Sequence, residues 1–351
     1  MTDLQEVQRL LLRLCSVAGT PGEESLAAAV VQQEWEAIWP DAPIQIDGMG
    51  NVTAMLGSQE ANRQVLLDAH LDQIGLVVTG IDDHGFLRIA PCGGVDRRVL
   101  PGSSVTVYGR ETRRGIVCCL PPHLVEGGAD KVSPVDQMYV DLGMDEQEAK
   151  ELVSPGDRIS LQVEPRLLLG SRITAAGLDD RAGVAALLRC AQLLKEKSLS
   201  CGVTFLFSGR EETGCEGART AAYQASPTEA VMVDVSFASQ PGVSPDKSGK
   251  LGEGVMIGMA PSLNRDMTKT MKRLAQQQEI PYQMEIMGGQ TGTNADVIGV
   301  TRAGVKTALL SIPQRYMHTT AEMVDLADVE RVAQLLTAYV LEEGGSLHGG
   351  Q

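Results

Sequence analysis

The chain has 351 residues, of which 43% are hydrophobic and 3% aromatic, and it carries a formal charge of -15. That length supports one large domain and a smaller one, each with its own core. The acidic balance excludes a phosphate-backbone binder, which needs a concentrated basic surface, and no apolar stretch approaches the roughly 20 residues that span a bilayer.

In chain order, Leu4, Val7, Leu10, Leu11 and Leu14 recur at helical spacing over residues 3–17, until Gly19-Thr-Pro-Gly22 breaks the pattern. A second helix is predicted over 23–38. Residues 43–47 and 51–56 form a hairpin around Gly48-Met-Gly50, and 63–69 is a buried strand that delivers His70-Leu-Asp72 at its end. The first residues lack a signal peptide's basic start and apolar core, so cytoplasm is the expected compartment.

Between about 75 and 165 the composition changes to short strand candidates at 86–89, 104–108, 115–119, 137–140 and 158–163, divided by Gly, Pro and Asp turns, with one helix at 145–152. Such spacing predicts a small β-barrel or sandwich inserted into a domain made of 1–74 and 166–351. Thereafter strands at 202–208, 229–235, 254–259, 282–287 and 305–312 alternate with helices at 180–197, 216–223, 264–278, 293–302 and 327–341. That alternation implies an α/β fold with a mainly parallel sheet flanked by helices. The glycine-rich tail after Glu343 reads as loose. Seven cysteines, an odd number without framework spacing, read as reduced, and the adjacent Cys118-Cys119 pair is no zinc knuckle. Cys215 reads as a packing residue.

Acids and histidines gather where this fold places its chemistry, at strand ends. His70 and Asp72 follow one strand, Glu211 and Glu212 follow 202–208, Asp234 ends another, and His318 follows 305–312. Asp179 stands at a helix start where Asp180 alone would serve as N-cap. Adjacent like charges at Glu211-Glu212 ask for a metal or an arginine. Each residue alone has a plainer reading, as a turn cap, a packed imidazole or a solvated acid. Together, two imidazoles and three carboxylates suit a pair of divalent ions sharing one bridging carboxylate, with zinc first and cobalt or manganese possible. Glu211 is then left free as a general base beside a metal-bridging water.

Ala69-His-Leu-Asp-Gln-Ile-Gly75, Leu178-Asp-Asp-Arg-Ala-Gly183, Glu211-Glu-Thr-Gly214, Val233-Asp-Val235, Gly289-Gln-Thr-Gly-Thr-Asn-Ala295 and Arg315-Tyr-Met-His-Thr-Thr-Ala-Glu-Met-Val-Asp325 strongly resemble motifs of the M42 family of metallo-aminopeptidases. The similarity runs from the first helix to the last. It implies that His70 and Asp234 bind one metal, Glu212 and His318 the other, and Asp179 bridges them, with Glu211 as base and Asp72 supporting His70. It further implies removal of N-terminal residues from short or unfolded peptides, and an insert at 75–165 that pairs subunits into dimers assembling as a dodecamer. Departures fall at Gln73, Asn294 and Thr319-Thr320, none of them an expected ligand. Two other functions use similar residues. An endoglucanase-type glycoside hydrolase also needs paired acids, although scarce Trp and Tyr count against a sugar platform. A non-catalytic peptide-binding scaffold usually lacks a ligand or the base, and here all seven positions are filled.

Overall fold

The computed structural model describes residues 2–118, 120, 121, 124, 132–161 and 163–342. Cys119 and the tail from 343 lie outside these residues. Among the described residues, an eight-stranded sheet forms the centre, in the spatial order Ile44–Ile46, Val52–Leu56, Gly202–Ser208, Gln64–His70, Glu229–Phe237, Lys306–Gln314, Val255–Met259 and Tyr282–Ile286. The four middle strands from Gly202–Ser208 to Lys306–Gln314 are mutually parallel, and at one edge Val52–Leu56 pairs antiparallel with Gly202–Ser208 on one side and with Ile44–Ile46 on the other. Val255–Met259 pairs antiparallel to Lys306–Gln314 and parallel to Tyr282–Ile286.

Because strand side chains alternate between faces, each middle strand feeds two cores. Val65, Leu67 and Ala69, with Val203, Phe205 and Phe207, face a core built with the helices Asp3–Leu14, Ser25–Ile38, Leu178–Leu193, Arg265–Gln277 and Leu326–Leu341. Leu66, Leu206, Met232 and Leu309 face the opposite layer, with Ala218 and Ala222 from the helix Glu216–Ala225 and Ile298 from the short helix Ala295–Ile298. Burial on both faces is why these strands read as near-continuous apolar runs.

Residues 75–160 supply six strands that close a barrel, in the order Gly75–Ile81, Leu87–Cys92, Tyr139–Asp141, Thr112–Val117, Ser104–Tyr108 and Arg158–Ser160. Its interior is a separate core of residues such as Leu76, Val78, Leu87, Val107, Val140 and Ile159. The expected strand 86–89 is therefore part of a longer one, and Gly75–Ile81 is an additional strand. A third sheet, Arg166–Leu167 with Arg172–Ala175 and Glu322–Asp325, joins residues about 150 positions apart and has no counterpart among the sequence expectations.

The expected helix at 293–302 shrinks to Ala295–Ile298. The Asp296 carboxylate accepts hydrogen bonds from the Thr291 and Gly292 amides at 2.9–3.0 Å, which winds the preceding residues into a loop. Those two amides therefore already have an acid partner.

Candidate metal centre

Three strand ends, the interior of a fourth strand and one helix start deliver the expected residues to a single place; Asp234, expected to end its strand, lies within Glu229–Phe237 because the pairing with Lys306–Gln314 runs three residues further. His70 is the last residue of its strand and 2% exposed, and Ser208 stands opposite it in register. Beyond Ser208 the chain turns through Arg210 at φ 60°, a left-handed conformation uncommon outside glycine. That turn starts the one-turn helix Glu211–Gly214. The Asp72 carboxylate, fully buried, accepts from the Glu211 amide through Oδ1 and from the Glu212 amide through Oδ2, both at 3.0 Å. An acid from another strand thus satisfies the exposed amides of this helical turn and fixes where the two glutamates stand.

The helix carrying Asp179 begins after Gly177 at φ 73°, and the Asp179–Asp180 peptide is cis. His318 lies in a turn where both Tyr316 and His318 have positive φ, 60° and 62°. Glu322 ties these two segments together: Oε1 accepts from the His318 amide at 3.0 Å and Oε2 from the Asp179 amide at 3.2 Å.

Asp179 lies between the imidazoles. Its Oδ1 is 3.0 Å from Nε2 of His70, and its Oδ2 is 3.4 Å from Nε2 of His318. Around the first pairing, Asp234 Oδ1 is 4.0 Å from Nε2 of His70. Around the second, Glu212 Oε1 is 3.5 Å from Nε2 of His318. His70, Asp179 and Glu212 offer ligand atoms within 4.8 Å of one another, as do His70, Asp180 and Asp234. Donors at about 2.0–2.2 Å from a tetrahedral zinc lie about 3.3–3.6 Å apart; the spacings of 3.4 and 3.5 Å around His318 match that, and those of 3.0 and 4.0 Å around His70 lie on either side of it.

The charges also fit cations. Besides Asp72, six acids, Asp179, Asp180, Glu211, Glu212, Asp234 and Glu322, share this region with two imidazoles. Burial, reinforced by the Asp179 charge, pushes Glu212 up to about 8. Hydrogen bonding to Asp179 lifts His318 to about 9 against its own burial. Burial raises Asp234 and Asp180 well above the carboxylate range, and Glu322 likewise with the Asp179 charge added. Burial also raises Glu211, opposed by His70. Asp179 is the exception: burial works against its charge, yet hydrogen bonds with His318 and His70 hold it below its ordinary value. The Asp180 Oδ2, fully buried, has no hydrogen-bond partner. Bare acids so crowded repel one another, and divalent ions relieve that repulsion.

All seven expected residues converge here, with Asp72 in a wider role than expected. The nearest partner of His70 Nδ1 is the Asp72 carbonyl oxygen at 3.0 Å, and the carboxylate lies at 3.5 Å while holding the two glutamate amides. Asp180 is indeed a helix cap, accepting from the Gly183 amide at 3.0 Å. Glu322 went unassigned from sequence, although its place four residues after His318 in the same motif was the available signal. Asn294, one of the departures, donates to Asp68 at 2.8 Å and to Ser208 at 2.9 Å, all buried. Cys215, read as packing, brings its thiol within 3.4 Å of Glu211 Oε1.

Comparison with known proteins identifies the family and the fold. The family model described as M42 glutamyl aminopeptidase matches residues 50–335. A lysyl aminopeptidase of Pyrococcus furiosus is 34% identical over 307 residues, 86% of this chain and 87% of that protein. An aminopeptidase of the archaeon Desulfurococcus kamchatkensis superposes with a TM-score of 0.90 at 31% identity, covering 97% of this chain and 96% of its own. A TET peptidase of Pyrococcus horikoshii, which can assemble into a tetrahedron or a large octahedral shell, superposes with a TM-score of 0.85 at 32% identity over 96% of this chain and 100% of its own.

Proposed function

The chain belongs to the M42 glutamyl aminopeptidase family, and we propose that it removes single N-terminal residues from short or unfolded peptides at a pair of divalent cations, with Glu211 as general base. His70 and Asp234 would hold one cation, Glu212 and His318 the other, and Asp179 both. The observation that carries this reading is the orientation of Asp179, one oxygen toward each imidazole at 3.0 and 3.4 Å. Zinc suits the mixed imidazole and carboxylate donors, with cobalt or manganese as alternatives.

When bound, the cations supply Lewis acidity, polarising the scissile carbonyl and lowering the pKa of water towards neutrality. The remaining chemistry belongs to the chain. Glu211 accepts the water proton at its carboxylate and passes it to the leaving amine. Its backbone is held by Asp72, and the Cys215 thiol meets its Oε1. A substrate's free α-amine would anchor beside the centre, so a free N-terminus is the feature the site selects.

We assign the pairing of subunits to the insert at 75–165, whose outer surface carries exposed Ile116, Leu120 and Leu124, and expect the pairs to close into a dodecamer. Such a shell would admit unfolded chains and exclude folded ones. A panel of aminoacyl anilides, run with metal analysis of the purified protein, tests the proposal. Turnover dependent on about two metal equivalents per subunit supports it. Inactivity on every member with zinc, cobalt and manganese supplied would leave a peptide-binding scaffold.

A further inference from the structure

The barrel strand Leu87–Cys92 leads into two glycines that leave the barrel and touch the cation site. The Gly94 carbonyl is 2.9 Å from Nδ1 of His318, and the Asp96 amide donates to the His318 carbonyl at 3.5 Å. A Cβ at Gly94 would stand 2.7 Å from that Nδ1 and 2.9 Å from Cε1 of the same ring. Gly93, at φ +85°, lies beside the neighbouring ligand with less crowding: a Cβ there would stand 3.2 Å from Cβ and 3.3 Å from Oε2 of Glu212, and 2.9 Å from Cγ2 of Ile74.

Both contacts fall on the same half of the centre. Glu212 and His318 are the pair assigned to one cation. Among the described side-chain hydrogen bonds and ion pairs of His70 and Asp234, the pair assigned to the other, none comes from the barrel; beyond their contact with each other, they come from Asp72, Asp179 and the main-chain amide of Val235.

We propose that the Gly93-Gly94 turn is the positioning element of the Glu212/His318 cation site. The Gly94 carbonyl accepts the Nδ1 proton of His318, which fixes the tautomer that leaves Nε2 free to face Asp179 and Glu212. The bare Gly93 lets the Glu212 side chain lie against the turn. One cation site is thereby completed by the barrel, while the other is built from the main sheet and its connections alone. The inference rests on the ligand assignment above.

The test is stepwise calorimetric titration of metal-stripped full-length protein with Zn2+ or Co2+, on wild type, Gly94→Ala, Asp96→Ala and Arg97→Ala. Gly94→Ala pushes the His318 ring away from its carbonyl partner. Loss of such an outer partner typically weakens metal binding about 10- to 100-fold, and that weakening is expected in one of the two equivalents, with the other at wild-type affinity and turnover restored by excess metal. Asp96→Ala removes the carboxylate that accepts from the Arg98 amide at 2.9 Å and shapes the loop, without placing an atom against His318. It should weaken the same equivalent by a smaller factor. Arg97→Ala, an exposed neighbour, should bind both equivalents as wild type does. Unchanged binding by Gly94→Ala, or equal weakening of both equivalents, overturns the inference. If Gly94→Ala does not fold, Asp96→Ala decides, and an unaltered second equivalent overturns it. A wild-type protein that binds a single equivalent would instead sink the two-cation reading on which the inference stands.

Discussion

Asp72→Asn changes a fully buried residue by one atom type and should disable a centre it does not ligate. Both carboxylate oxygens are occupied, Oδ1 by the Glu211 amide and Oδ2 by the Glu212 amide, each at 3.0 Å. An asparagine can accept one of these bonds with its oxygen, but its NH2 then faces the other N–H, donor against donor. Losing a hydrogen bond to a charged acceptor costs about 1.5–3 kcal/mol, and a buried amide left unsatisfied costs a similar amount. If the helical turn shifts to escape, that energy appears as misplacement of the base and of one cation ligand. At about 1.4 kcal/mol per factor of ten, kcat/KM on an aminoacyl anilide should fall roughly 10- to 150-fold at saturating metal. Circular dichroism should show an intact fold, because the sheet and its two cores do not depend on this contact. Activity within about threefold of wild type would refute the reasoning, because it would show that the Asp72 carboxylate does not hold the glutamate turn in place.

Metal binding should release protons at pH 7, since Glu212 near 8 and His318 near 9 are protonated there as bare groups and must be deprotonated to bind. Affinity should therefore rise with pH up to about 9, and calorimetry in buffers of different ionisation enthalpy reads the protons directly; no buffer dependence would contradict it. Asn294→Ala should lower stability by about 1–3 kcal/mol in chemical denaturation, because Asp68 and Ser208 lose a buried donor; an unchanged midpoint would contradict the packing described. An N-acetylated peptide should be a poor substrate and a cellulose chain none, whereas rapid internal cleavage of blocked peptides would remove the exopeptidase reading. Light scattering should find large closed assemblies, and a monomer over a wide concentration range would refute the assembly.

The sequence made His70, Glu211, Glu212 and His318 visible because they end or follow buried strands whose apolar runs are hard to mistake, and strand ends in such sheets are where polar chemistry collects. The helices Asp3–Leu14 and Leu326–Leu341 were visible for the same reason, an apolar stripe at helical spacing facing one core. The three-stranded sheet was not, because its pairing of Arg172–Ala175 with Glu322–Asp325 is non-local and two to four residues long. Helix 293–302 was overread because spacing does not reveal that the Asp296 side chain captures two amides. The Gly94 carbonyl against His318 was invisible for a different reason: a main-chain oxygen has no residue-type signature. Glu322 was visible as an acid in a motif, but its two amide contacts depend on segments that meet in the fold.

Glu211 and Glu212 are adjacent in sequence and have opposite tasks in this account, so exchanging each for glutamine tests it most directly. Metal stoichiometry and turnover are measured on the two purified variants over a range of metal concentrations. Glu211→Gln should keep both cations and lose roughly 10²- to 10⁴-fold in kcat, the usual contribution of a general base. Glu212→Gln, whose neutral amide is a poorer ligand beside His318, should lose one cation and recover part of its turnover with excess metal. The reverse pattern, metal lost from Glu211→Gln and retained by Glu212→Gln, would show the two roles exchanged, and full activity in both would place the metal centre elsewhere.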